Sequence, residues 1–225
     1  MSLFEKIYYA ADRDLKDTTI LMLQEAQFNR PRLLDLGCGD CRFTERLVDA
    51  VNPEQTWAVD SSPDRIEYAI AKGYQPVKAD LNQGIPLEDG SMDIIHAGDV
   101  IEHLNNTDLF IKEIRRLLSP IGFAVISTPN LASWHNIAAL FLGRQPFTAM
   151  VSDEMKISEI EADKDMPKHR RIFTFDGLER LVKFHGLRVI ESIGCGYYPF
   201  TGIVQEMLSV IDYRHAAYVL AKVGR

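Results

Sequence analysis

The stretch that decides the fold is Leu33-Leu34-Asp35-Leu36-Gly37-Cys38-Gly39-Asp40-Cys41-Arg42-Phe43. An apolar run carrying one acid stops at Gly37-x-Gly39, and Arg42 to Val51 then reads as a helix. A strand that ends in such a turn and feeds a helix lets backbone approach a ligand closely, because glycine has no Cβ. Further along, Trp57-Ala58-Val59 is a short strand ending at Asp60. That acid follows Gly39 by about 20 residues, the interval at which a strand-end carboxylate meets a ribose diol in nucleoside-binding sheets.

The same rhythm continues on both sides of this unit. Asp14 to Phe28 reads as a helix, and Pro63 to Lys72 as another, with proline suited to its first turn. Gln75–Lys78, Met92–Ala97 and Phe123–Ser127 read as strands, with a helix over Leu109–Leu118. After Pro129 the alternation breaks, and it resumes with a helix over Asp176–His185. A strand over Leu187–Ile193, a helix over Val204–Ile211 and a strand over Ala217–Val223 complete it. Apolar strands alternating with helices imply a sheet covered on both faces. The expectation is one α/β domain over 1–225, doubly wound, with a mostly parallel seven-stranded sheet. Residues 1–30 form a helical cap, and 131–171 an insertion after the fifth strand.

Composition narrows the function classes. With 225 residues, 46% of them hydrophobic, the chain is long enough for a sizeable core. A formal charge of −7 opposes nucleic-acid binding, which needs a cationic surface. Three cysteines do not make a disulfide scaffold, and the odd thiol suggests a reducing compartment. The Met1–Lys6 segment has charges where a signal peptide needs an apolar run, and Ile137–Leu142 is too short to span a bilayer. A cytoplasmic protein is expected, with no stable membrane insertion; homo-oligomerisation is left open.

Two cofactor classes share the glycine-turn geometry. A nicotinamide site wants a third glycine for close helix packing, and here that position is Arg42. The observed order, acid then Gly-x-Gly, resembles instead the first motif of class I S-adenosylmethionine-dependent methyltransferases. The resemblance extends through residues 77–104, 117–130 and 169–192, and within the family the chain looks most similar to small-molecule methyltransferases of the ubiquinone-biosynthesis type. It implies S-adenosylmethionine as cofactor and S-adenosylhomocysteine as product. It also implies that Asp35 orients the methionine amino end, that Gly37 and Gly39 shape the floor, and that Asp60 binds ribose with Ser61 beside the adenine. Asp80 and Leu81 would meet the adenine, and Gly98 and Asp99 the methionine side. Cys41 and Ile121 depart from the pattern, each standing where glycine is common.

Methyl transfer from a sulfonium is an in-line displacement driven largely by alignment, and a hydroxyl acceptor gains from a nearby base. The base candidates are His103, His135 and His169. Asp99-x-x-Glu102-His103 would share one helical face. Some ubiquinone-type enzymes carry a similar arrangement proposed to hold a divalent cation. The simpler reading is preferred: Asp99 closes the cofactor pocket, Glu102 and His103 make local hydrogen bonds, and no metal is assigned. His169 with Arg170 and Arg171 offers an alternative role in fixing an acidic acceptor. Tyr197, Tyr198 and Phe200 are candidates for the pocket wall.

Two motifs are discounted. Cys38-x-x-Cys41 has redox spacing but lies inside the glycine turn, and Tyr68-x-x-x-Lys72 falls away from the expected site. Residues 131–171, including the charged tract Asp153–Asp165, are read as a lid over the acceptor, with contact to a lipid-like substrate through Trp134–Leu142 as the alternative. The expected activity is methyl transfer to a small-molecule hydroxyl. The alternatives are a non-catalytic binding protein of the same fold and a nicotinamide-dependent oxidoreductase.

Overall fold

Seven strands form a single sheet in the order β3-β2-β1-β4-β5-β7-β6 in the computed structural model, which describes residues 3–25, 28–152 and 168–225. In chain order the strands are β1 (Arg32–Leu36), β2 (Gln55–Asp60), β3 (Gln75–Lys78), β4 (Met92–Gly98), β5 (Leu118–Pro129), β6 (Arg188–Cys195) and β7 (Tyr218–Gly224). The helices are α1 (Leu3–Gln24), α2 (Arg42–Val51), α3 (Pro63–Ala71), α4 (Thr107–Leu117), α5 (Trp134–Phe141), α6 (Phe175–Phe184) and α7 (Ile203–Ile211). Strands β1 to β5 pair in parallel, while β7 runs antiparallel to both β5 and β6. The mostly parallel, doubly wound expectation holds.

Alternate residues on the central strands go to opposite faces, as the strand period requires. Leu34, Ile95 and Ala124 pack beneath α4 and α6, against Phe110, Ile111, Ile114, Leu178 and Val182. Leu33, Ile94 and Val125 pack beneath α1 and α2, against Ala11, Leu15, Leu23 and Leu47. Burial on both faces explains why these strands read as unbroken apolar runs. At the amino edge of the sheet, Arg32 grips Asp93 through two side-chain contacts of 2.9 and 3.0 Å. Hydrogen bonding from Arg32 holds the Asp93 carboxyl down at about 2.

Three local expectations need correction. Helix α1 begins at Leu3 rather than Asp14; its buried stripe of Ala11, Leu15, Met22 and Leu23 already starts before Asp14. Strand β5 begins at Leu118, five residues early, where Met92 of β4 pairs with it. Residues 101–103 make a single 3-10 turn rather than an α-helix, so Asp99 and Glu102 are not helical neighbours. The charged tract Asp153–Asp165 lies outside the described residues. Among the described residues, no helix is long and apolar enough to cross a membrane.

Candidate functional site

The carboxyl edges of β1, β2 and β4 converge on the glycine turn. The Gly37 and Cys38 amides both donate to the Val59 carbonyl, at 2.8 and 3.0 Å, so the turn is pinned to the neighbouring strand. Gly37 has φ 76°, and a Cβ there would lie 2.5 Å from Val100 Cγ2; both conditions demand glycine. Asp60 closes the turn from β2. Its carboxylate accepts from the Gly39 amide at 3.2 Å and the Ser62 amide at 2.9 Å, with Arg65 Nη1 at 3.5 Å. A carboxylate has roughly four acceptor sites, so these two amides leave capacity for hydroxyl donors.

Other predicted residues fall around this centre. Ser61 and Asp80 are exposed beyond β2 and β3, and Leu81 is buried. Asp80 accepts from the amide of Asn82 at 2.9 Å, which holds its carboxyl below the usual range. Gly98 ends β4. Asp35 is 3% exposed, and each oxygen is already engaged, one with Thr44 Oγ1 and one with His96 Nδ1. A cleft of about 450 Å³, lined by Tyr9, Asp12, Arg13, Lys16 and Arg46, opens between α1 and α2.

Cys41 sits in the left-handed region at φ 60° with its side chain fully buried. The departure from glycine is therefore accommodated at the cost of backbone strain. Burial raises both the Cys38 and Cys41 thiols, which opposes redox reactivity. Tyr68 is exposed and Lys72 pairs with Glu45 at 2.5 Å, so that pair is a helix surface.

A second group lies past the end of β4. Asp99, at φ 51°, donates its amide to Ser127 Oγ at 3.1 Å and accepts from that hydroxyl at 2.9 Å. Burial raises its pKa. Glu102 is 2% exposed, and its carboxylate Oε2 accepts from Thr128 Oγ1 at 3.1 Å. Burial, then the charge of Asp99, pushes its pKa well up. Its Oε1 and the Nδ1 of His103 are buried without a hydrogen-bond partner among the described residues. Burial lowers His103 to about 4.

His169 joins this group through the backbone. The amides of Arg170 and Arg171 donate to the Glu102 carbonyl at 2.6 and 3.0 Å, and Arg171 Nη2 donates to the Asn105 carbonyl at 3.0 Å. The His169 ring then stands 5.1 Å from that of His103, with its Nδ1 donating to the Thr148 carbonyl at 3.2 Å. Ligand atoms of Glu102, His103 and His169 all lie within 4.8 Å of one another. Asp99, Glu102 and His103 are close in the sequence and His169 is not; only a contact across more than sixty residues unites it with them.

His135 stands away from that trio. Its ring packs edge-on against Tyr198 at 4.7 Å and near Phe147 at 5.7 Å, and burial lowers it to about 4. Burial raises the Tyr8, Tyr198 and Tyr218 phenols, and the charge of Asp99 acts on all three in the same direction. Tyr8 and Tyr218 were missed in the sequence; one is an ordinary helix aromatic, the other an ordinary strand one. Tyr197 belongs elsewhere, donating to Asp212 at 2.5 Å in a network with Trp134 and His215. Phe200 is 44% exposed.

This strand order, with a reversed seventh strand, a glycine turn after β1 and an acid closing β2, defines the class I S-adenosylmethionine-dependent methyltransferases. A family model described as "Methyltransferase domain" matches residues 8–192, and the chain belongs to that family. It is 24% identical over 200 residues to a ubiquinone biosynthesis O-methyltransferase of Bartonella bacilliformis, covering 87% of this chain and 72% of that one. It is 32% identical over 102 residues to an uncharacterized 37.1 kDa protein in transposon TN4556 of Streptomyces fradiae, covering 43% of this chain and 30% of that protein's length. The crystal structure of an S-adenosylmethionine-dependent methyltransferase from Mesorhizobium loti superposes with a TM-score of 0.65 at 16% identity, covering 96% of this chain and 100% of that one. A second, from Aquifex aeolicus, gives 0.59 at 14% identity, covering 92% and 88%.

Proposed function

We propose that this chain transfers the methyl group of S-adenosylmethionine to a hydroxyl oxygen of a small-molecule acceptor. The observation that carries the reading is the Asp60 carboxylate, which holds the Gly37–Gly39 turn and keeps acceptor capacity at the carboxyl edge. The cofactor supplies an electrophilic sulfonium methyl and leaves as S-adenosylhomocysteine. Asp60 takes the ribose hydroxyls; Ser61, Asp80 and Leu81 flank the adenine; Gly37, Gly39, Gly98 and Asp99 border the methionine side.

On the acceptor side, His169 Nδ1 donates to a carbonyl, which leaves Nε2 as the ring nitrogen available to take a proton. That atom takes the acceptor's proton as the new C–O bond forms. His103 and His135, both pushed down to about 4, stay neutral at pH 7 and line the pocket as uncharged hydrogen-bonding groups. The ubiquinone-pathway relative acts on oxygen by its printed name, which favours a hydroxyl acceptor. Three free thiols, all buried, accord with a cytoplasmic protein.

One observation favours a second reading of the trio. Glu102 Oε1 and His103 Nδ1, without a hydrogen-bond partner among the described residues, belong to a group whose ligand atoms are within 4.8 Å of one another, a set suited to a divalent cation. Glu102, His103 and His169 would hold it, and it would polarise the acceptor hydroxyl. Steady-state release of S-adenosylhomocysteine with hydroxyl and amine acceptors tests the function. The expected result is turnover with hydroxyls, unaffected by chelator if His169 is the base and abolished by chelator if the trio holds a cation. Turnover confined to amines, or none with any acceptor, contradicts the proposal.

A further inference from the structure

Of the cross-strand pair Asp35 and His96, it is His96 whose second ring nitrogen reaches towards Gly98 at the carboxyl edge. Asp35 is buried with both carboxylate oxygens engaged, by Thr44 Oγ1 at 2.5 Å and His96 Nδ1 at 2.7 Å. His96 is its direct cross-strand partner in the β1–β4 register, is 6% exposed, and is braced by Phe43 with ring centroids 5.2 Å apart. A carboxylate only accepts, so Nδ1 carries a proton, and in that tautomer Nε2 is an acceptor.

The direction of that acceptor follows from the strand. Residues 96 and 98 lie two apart on β4 and share a face. A Cβ on Gly98 would stand 2.8 Å from both Nε2 and Cε1 of His96. The ring therefore fills the place of a residue-98 side chain, and its free end looks along the strand to the carboxyl edge. Gly98 is the last residue of β4, so nothing on its own strand intervenes.

We propose that His96 Nε2 accepts a hydrogen bond from the α-ammonium of the cofactor's methionine moiety, with Asp35 holding the ring in that tautomer and orientation. The inference rests on the cofactor reading above. Asp35, itself held by Thr44, and Phe43 fix the ring, so Nε2 is oriented before the ligand arrives. This arrangement gives the first acid of the glycine motif an indirect role, as a positioning residue.

Calorimetric titration with S-adenosylhomocysteine and its desamino analogue, which lacks only the ammonium, tests this on wild type, His96→Leu and His96→Gln. Wild type is expected to prefer S-adenosylhomocysteine about tenfold or more, the scale of a hydrogen bond to a charged group. His96→Leu is expected to abolish that preference while leaving the analogue's affinity within about twofold, and His96→Gln, with an amide oxygen to accept, to recover part of it. Equal weakening of both ligands would show that the ring only supports the turn, and would overturn the inference. An unchanged preference would do the same. Should His96→Leu not fold, the same two-ligand comparison in His96→Gln decides: a reduced preference supports the contact and an unchanged one refutes it. Wild type binding neither ligand would instead remove the cofactor reading itself.

Discussion

The two halves of the carboxyl edge are built on opposite principles. On the β1–β2 side the turn is held by paired groups: the Gly37 and Cys38 amides with Val59, the Gly39 and Ser62 amides with Asp60, and Asp35 with Thr44 and His96. On the β4–β5 side, Glu102 Oε1 and His103 Nδ1 are buried without a hydrogen-bond partner among the described residues, and the carboxyls of Asp99 and Glu102 are pushed up by desolvation. Buried polar atoms without partners cost stability, so a fold retains them where a ligand or a reaction uses them. The first half is a rigid cradle, and the second is chemically poised.

The largest effects should come from breaking the cradle. Asp60→Ala removes the acceptor for Gly39 and Ser62 as well as for ribose, and is expected to weaken S-adenosylhomocysteine binding at least about 100-fold by calorimetry. Gly37→Ala places a Cβ 2.5 Å from Val100 Cγ2 at a φ of 76°, and is expected to cost about 2–3 kcal/mol in denaturant unfolding. A melt indistinguishable from wild type would show that the turn is softer than described.

The poised half is probed by titration. His135 is held at about 4 by burial, below its unfolded value, so its contribution is complete above about pH 6.5 and declines as pH falls towards 4. His135→Asn should remove on the order of 2 kcal/mol from the acid limb of the stability profile over that window. A profile unchanged in slope between pH 6.5 and 4 would show that the His135 site admits water. The smallest expected effect is that of Cys41→Gly. Relief of the left-handed strain at φ 60° offsets the loss of a buried thiol, leaving a net change under about 1 kcal/mol.

The same division governs what was legible in the sequence. The sheet was readable because burial on both faces writes β1, β4 and β5 as apolar runs, and the glycine turn because its constraints act within a few residues. The start of α1 was not, since its first turns carry Tyr8, Tyr9 and charges rather than a clean apolar stripe. Nor was the short turn at 101–103, which the (i, i+3) spacing mimics as a longer helix. His169 reaches Glu102 and His103 only through two amides donated to the Glu102 carbonyl, a long-range pairing with no local signature. His96 was hidden for a related reason: alone on an apolar strand it looks like a core residue, until the cross-strand register sets it opposite Asp35.

The central claim is that the cradle binds S-adenosylmethionine through Asp60. Calorimetric titration of the purified protein with S-adenosylmethionine, S-adenosylhomocysteine and NAD, in parallel with Asp60→Ala, tests it most directly. The account predicts binding of the first two ligands, none of NAD, and loss of both in the variant. Binding of NAD alone, or binding of S-adenosylmethionine that survives Asp60→Ala unchanged, would contradict it.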